Sequence, residues 1–464
     1  YTQGFTLKRV LSKGFWNLTF SRNMFDNRLD KFEDNFSGKQ NDESKRTLGI
    51  NSQEIENKLR FENNHISGAW KVSYGASLQY VKYSNDAFTR GRPEVRDSSG
   101  NIIQPGVNFN FNTAIDFFKY GLFGQINRKF IDDRLSLSLG VRSDANTFSS
   151  DGAENLWNTF SPRLSASYVL HSKWTINASV GRYYKILPYT VLGFKDENNA
   201  LVNRDLPYTR SDHYVAGLEF IPQSNLRFTL EGFYKEYSNY PVSVRDGISL
   251  ANLGGDFGII GNEAIQANGT GRAYGMELFA QQKLSKNLYF TGSYTLFWSE
   301  FSGINDRFIR SAWDTRHLLS LLAGYKFRGN WELGIKFRYQ GGTPYTPFDT
   351  ALSRINYAIE GRGTLDYRRL NGAELADFMQ LDMRLDKKWN FRKFTLDLYA
   401  DFQNLLLRAN PGFPSYTFRR NADNTGFETT DGQALKADGS NAIPIFLTEN
   451  QATVIPTIGF ILEF

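Results

Sequence analysis

The chain has 464 residues, with 54 Lys and Arg against 48 Asp and Glu, a net charge of +6 and no Cys. The missing Cys excludes a disulfide framework, a thiolate metal site and a cysteine nucleophile, and the even mixing of basic with acidic residues argues against nucleic acid as a partner. A hydrophobic share of 41% and a mean hydropathy of −0.45 would suit a soluble multidomain protein, yet 15% of residues are aromatic, with 39 Phe, 24 Tyr and 8 Trp.

No apolar run approaches the roughly 18 residues of a spanning helix; the densest is Leu318 to Ala323. The sequence opens on Tyr1, Thr2 and Gln3 without an initiator Met or a signal pattern, so a processed chain or a fragment is expected. The dominant signal is a period of two, which places apolar residues on one face of a strand and polar residues on the other. In chain order it predicts strands at about 5–11, 14–27, 52–65, 68–83, 113–130, 133–147, 158–171 and 173–186. It continues at about 208–221, 224–239, 270–284, 286–301, 313–327, 329–341, 377–389, 394–406 and 453–464. The clearest case sets Met379, Leu381, Met383 and Leu385 against Gln380, Asp382, Arg384 and Asp386. Short connections at Ser12–Lys13, Ile66–Ser67, Ile131–Asp132, Ser172, Pro222–Gln223, Ser285, Arg328 and Asn390–Lys393 take turns with long ones. The long ones cover about 28–51, 84–112, 148–157, 187–207, 240–269, 302–312, 342–376 and 407–452.

Strands of a soluble sandwich average five or six residues, and nothing makes its loops alternate in length. Tight turns at one end, long loops at the other and a polar second face describe an all-β, antiparallel transmembrane β-barrel. Trp174, Trp331 and Trp389 beside short turns, and Trp298 and Tyr339 toward long loops, fall where interfacial girdles belong. Val454, Ile458, Phe460, Leu462 and Phe464 share one face of the last segment. That segment resembles the C-terminal strand that marks outer-membrane barrels for assembly, which makes the bacterial outer membrane the expected location. Its lipid and lipopolysaccharide are expected partners. About 17 strands is an odd number where single-chain bacterial barrels have an even one.

Further strings carry a resemblance to a family. WELGIKFR followed by YQGGTPYTPFD (Tyr339 to Asp349), the stretch Phe378 to Leu406, the closing TVIPTIGFILEF, and Arg272 to Phe301 with Trp313 to Phe327 resemble the TonB-dependent outer-membrane transporters in their Bacteroidetes form. The resemblance covers most of 208–464 and fades upstream. It implies a barrel of 22 strands, of which residues 1–464 would supply about 17. It also implies an N-terminal plug and a TonB box, neither visible in this sequence, and TonB-driven import of a polar solute such as a glycan, peptide, siderophore or cofactor. A surface lipoprotein lid is a further partner by analogy. Two other readings stay open: a passive porin of 16 strands, and a barrel serving as scaffold in an outer-membrane assembly or secretion complex.

No enzyme is expected. His65, His171, His213 and His317 lack metal-site spacing, and neither a GxSxG elbow nor a phosphate loop is present. The glycine-rich Gly254 to Gly261 reads as loop. No metal or cofactor is expected. Parity puts Asp382, Arg384, Asp386, Asp397 and Asp401 on the lumen face, either as a paired wall or as contacts to a plug or solute. Aromatic and guanidinium groups in two long loops are candidates for stacking on a solute: Tyr183, Tyr184, Tyr189, Phe194, Arg204, Tyr208 and Arg210, then Arg408, Phe413, Tyr416, Phe418, Arg419 and Arg420.

Overall fold

The computed structural model describes the chain apart from residues 33–35, 38–40, 93–94, 97–101, 105–106, 150–154, 254–262 and 449–450. The stretch Gly254 to Gly261 therefore lies outside the described residues. An 18-stranded antiparallel sheet dominates. One of its strands is the three-residue Phe308–Arg310; the other seventeen form the wall and are numbered β1 to β17.

The wall begins with β1 Thr2–Leu11, β2 Gly14–Phe32, β3 Arg46–Ser67, β4 Trp70–Arg92 and β5 Val107–Phe130. It continues with β6 Leu135–Asn146, β7 Ser161–His171, β8 Trp174–Lys185, β9 Thr209–Gln223, β10 Leu226–Ser243 and β11 Ile265–Ser285. It ends with β12 Leu288–Ser302, β13 His317–Phe327, β14 Trp331–Gln340, β15 Phe378–Asn390, β16 Thr395–Gln403 and β17 Ile455–Glu463. Each pairs with its chain neighbours, so the sheet is a meander. Among the described residues no pairing joins β1 to β17, and both are almost wholly exposed.

Tight turns are made where the backbone demands them. Lys286 and Asn287 both have positive φ (47° and 71°), the pair of values that a two-residue turn matching strand twist requires. Gly329 and Asn330 do the same at φ 73° and 59°.

The register keeps the expected parity. Outward rows run Leu218, Leu230, Leu278 and Tyr294, and Leu333, Leu385 and Ala400, across neighbouring strands. Near the short turns Trp174 stacks on Phe220 at 4.2 Å, and the Lys387 ammonium lies 5.2 and 5.4 Å from the Trp331 and Trp389 rings. Toward the long loops Tyr214, Tyr234, Tyr274 and Trp298 form a ring staircase across β9 to β12, spaced 6.5, 6.2 and 5.4 Å. These rows mark the two edges of the lipid-facing band.

On the lumen side, rings lie flat over cross-strand glycines. A Cβ on Gly324 would collide with Tyr289, and one on Gly459 with Tyr399, so these large side chains cover wall instead of filling the lumen.

The strands differ from expectation at their loop ends. β2 to β5 extend to 14–32, 46–67, 70–92 and 107–130, well past 14–27, 52–65, 68–83 and 113–130. Above the lipid the outward positions are mostly polar, while Ile50, Asn85, Ala87 and Thr113 are buried on the inner face, and backbone pairing continues. There Asp26 accepts from Gln53 at 2.7 Å, and Arg46 pairs with Asp30. The long loop after β14 also contains a helix, Thr350–Glu360. Asp349 caps it by accepting from the Ala351 and Leu352 amides, and Gly361 ends it at φ 63°.

Leu278→Arg on the lipid face should cost about 2–4 kcal/mol near midplane, whereas Thr291→Lys on the lumen face should cost little. Urea titration of the protein folded into lipid vesicles measures the difference; equal losses would contradict this assignment of faces.

Candidate functional site: lumen wall and mouth

Four of the five lumen candidates are neutralised by neighbours. Arg384 holds Asp386 through both Nε and Nη2 (3.0 and 2.8 Å) and lies 3.9 Å over the Tyr399 ring. Lys388 pairs with Asp397 at 3.3 Å, and Arg338 with Asp382 at 3.5 Å. Asp382 also accepts from Gln380 Nε2 and the Asn404 amide. Asp401 sits opposite Arg384 in register, with no hydrogen bond or ion pair among the described residues. These groups lie along one polar strip of the wall, with Asp401 as its free carboxylate.

The loop candidates separate into two populations. Tyr189, Tyr208, Tyr416 and Phe418 are 7%, 9%, 4% and 0% exposed. They pack loops and present no face to a solute in this arrangement. Tyr416 and Phe418 form a small core with Tyr357 and Ala442, joined by Phe427. Tyr208 accepts from Asn146 Nδ2 at 3.1 Å, and burial pushes its phenol up to about 12. Phe194 meets Phe111 edge-on at 5.8 Å, and Arg204 donates to the Phe148 carbonyl at 2.7 Å.

The others lie on strands or at the surface. Tyr183 faces the lumen on β8, tilted against His213 at 4.5 Å, with the Arg163 guanidinium 4.2 Å from its ring. Tyr184, one residue on, points the opposite way and pairs in register with Arg210, which reaches Asp212 at 3.4 Å. Arg408 contacts the Met379 sulfur at 3.8 Å. Phe413 meets Tyr345 edge-on at 6.4 Å, Arg419 lies 3.9 Å from Glu428, and Arg420 lies over Phe36 at 4.9 Å.

A cavity of about 790 Å³ lies against the inner faces of β8 to β12, lined by Tyr183, His213, Phe233, Lys235, Tyr237 and Phe297. At its base Glu231 and Glu277 are directly opposed across β10 and β11, and neither has a partner among the described residues. Of these groups only Tyr183 stood out in the sequence as a candidate solute contact. The signal was present: Phe233, Tyr237 and Phe297 are aromatics at lumen parity, where the pattern otherwise places polar residues.

Buried asparagines tie the loops above the lumen together. Asn203 Nδ2 donates to the Val191 and Glu263 carbonyls, while its Oδ1 accepts from the Ile265 amide, all at 2.9 Å. Asn252 Nδ2 donates to the Ile309 and Arg310 carbonyls, and Asn371 Nδ2 to those of Asn252 and Arg310. Asp314, 0% exposed, lies 3.4 Å from both Arg310 and Arg316. Its burial raises the carboxyl pKa, against the opposing pull of the two guanidiniums.

An apolar outer face bounded by aromatic rows, a polar inner face and a mouth of interlocked loops define the wall of a large outer-membrane β-barrel. The family model for the TonB dependent receptor-like β-barrel matches residues 1–405, and the chain belongs to this family. The family is one of transporters, not enzymes, and the chain is an integral outer-membrane protein. The match is to the receptor barrel as a whole and does not single out the Bacteroidetes form.

No curated protein matches the chain in sequence. Among solved structures it is similar to Pseudomonas aeruginosa FpvA bound to heterologous pyoverdines, with 15% identity, 100% of this chain and 55% of FpvA covered, and a TM-score of 0.62. It is also similar to the ferric yersiniabactin uptake receptor FyuA from Yersinia pestis, with 13% identity, 100% and 61% covered, and a TM-score of 0.59. For the copper transporter OprC the values are 15%, 99%, 65% and 0.60. The chain thus spans less than two thirds of the length of each of these relatives.

Asn371→Ala removes the donor to two carbonyls and should loosen the mouth by about 1–3 kcal/mol. Faster protease cleavage within 241–253 and 302–316, with the barrel's resistance to SDS unfolding unchanged, is the expected result.

Proposed function

We propose that residues 1–464 form part of the barrel of a TonB-dependent active transporter that imports a polar solute across the outer membrane. The remaining strands and a plug would come from further sequence. The open edges of β1 and β17 support the first half of this reading. An unpaired strand edge in hydrocarbon leaves polar backbone groups unsatisfied at several kcal/mol each, a cost that additional strands closing the wall would remove. Five more would give the 22 of the family. TonB would act through the further N-terminal sequence, and the aromatic rows would meet phospholipid and lipopolysaccharide. A surface lipoprotein is a candidate lid.

The observation that carries the import reading is the lumen cavity, with flat rings beside Glu231 and Glu277, which have no hydrogen-bond or ion-pair partner among the described residues, and beside Lys235, whose ammonium lies 5.3 Å from the Phe233 ring. Rings suit the apolar face of a solute, while the charged groups suit its polar rim. A glycan, peptide, siderophore or cofactor would meet that description. The Asp382–Asp401 strip is the proposed seat of the plug, and Phe413, Arg419 and Tyr184 at the mouth are proposed first contacts for solute.

The test uses the full-length polypeptide in outer-membrane vesicles and a panel of ferric pyoverdine, ferric yersiniabactin, copper, maltohexaose and a tetrapeptide. One member should bind, with Phe233→Ala and Glu277→Gln each raising Kd at least tenfold, about 1.4 kcal/mol. Its uptake by cells should stop when a protonophore collapses the inner-membrane potential. Uptake that persists under the protonophore would indicate a passive pore, and a chain that binds and imports none of the panel while co-purifying with assembly or secretion proteins would indicate the scaffold.

A further inference from the structure

β8 and β9 are adjacent strands, so their tops are only about 5 Å apart, and a few residues would connect them. The actual connection runs from Ile186 to Tyr208 and crosses to the inner faces of β3, β4 and β5. That is three to five strands away, roughly 15–25 Å along the wall. Leu187, Tyr189, Val191 and Leu192 are buried there against Val81, Tyr83, Ile115 and Phe117.

Three further anchors hold the segment. The Tyr189 hydroxyl donates to Glu56 Oε1 at 2.5 Å, Lys119 Nζ donates to the same oxygen at 3.0 Å, and Lys119 also contacts the Tyr189 hydroxyl. Asn203 staples the far end of the segment to the start of β11. Phe194 packs edge-on against Phe111 at the top of β5. A lid that swings would have to strip four apolar side chains from the wall and leave Glu56 with Lys119 alone.

We infer that residues 186–206 are a fixed shelf inside the mouth, covering the β3–β5 side of the lumen and leaving open the β8–β12 side, over the cavity lined by Phe233, Tyr237 and Phe297. The inference rests on the transport reading for its purpose, but its geometry is tested without any solute. Tyr189 is a positioning residue in this arrangement: its hydroxyl pins the shelf and touches no cargo.

Two measurements on the full-length protein in outer-membrane vesicles test it. Hydrogen exchange of the amides at 187–203 should be at least a hundredfold slower than at 304–307. Tyr189→Phe, which removes only the hydroxyl, should speed it about tenfold. Residues 1–464 contain no Cys, so with any Cys of the further sequence replaced by Ser, single thiols report access. Tyr237→Cys should react with the membrane-impermeant reagent 2-sulfonatoethyl methanethiosulfonate, added from outside, at least tenfold faster than Phe117→Cys. Phe297→Cys should behave like Tyr237→Cys, so that a folding defect in one variant does not decide the outcome. Equal rates on both sides, or exchange at 187–203 as fast as at 304–307, would overturn the shelf. A protein that keeps the shelf but imports none of the panel would instead overturn the transport reading.

Discussion

Backbone N–H and C=O groups have no partner in hydrocarbon other than each other, so a sheet that crosses a membrane must pair every strand on both sides. Much of the architecture follows from that condition. Neighbouring strands run antiparallel and are joined by the shortest turns the twist allows on one side, because a meander is the simplest way to satisfy each strand with the next. Alternation then follows from the pleat, since one face of every strand meets lipid and the other meets water. Among the described residues β1 and β17 each pair on one side only.

Water on the inner face changes what the polar groups there must do. A charge facing lipid would need burial among partners, but a lumen charge needs only a neighbour or solvent. The wall uses both. Arg384 with Asp386, and Lys388 with Asp397, make paired charges along one strip, while Glu231 and Glu277 face each other with no ion-pair partner among the described residues. Opposed like charges are unfavourable in a sheet, and here they line a cavity with aromatic rings that include Tyr183, Phe233, Tyr237 and Phe297.

The mouth follows a different rule. Loops above the lipid regain access to water, so they can be long, but buried stretches still need partners for their carbonyls. Asn203, Asn252 and Asn371 supply these, each binding two carbonyls from another part of the mouth. An asparagine in a long loop looks like an ordinary turn residue in sequence, so this role was invisible there. The aromatic loop candidates were ambiguous for a related reason: a Tyr in a polar loop can face a solute or hold the loop together, and only packing tells Tyr183 from Tyr189.

Strand order, the parity of nearly every wall position and the choice of ends that carry turns or loops are all legible in the sequence, because a two-residue period and a tight turn are local properties. The sequence placed Asp382, Arg384, Asp386, Asp397 and Asp401 on the lumen face for the same reason. It could not reveal the upper extensions of β2 to β5, which lie above the lipid-facing band and turn mostly polar residues outward. Nor could it reveal that Tyr189 reaches Glu56, 133 residues away, or that Phe233 and Phe297 border one cavity. Those facts depend on how strands far apart in the chain curve around a common lumen, and only the assembled wall decides that.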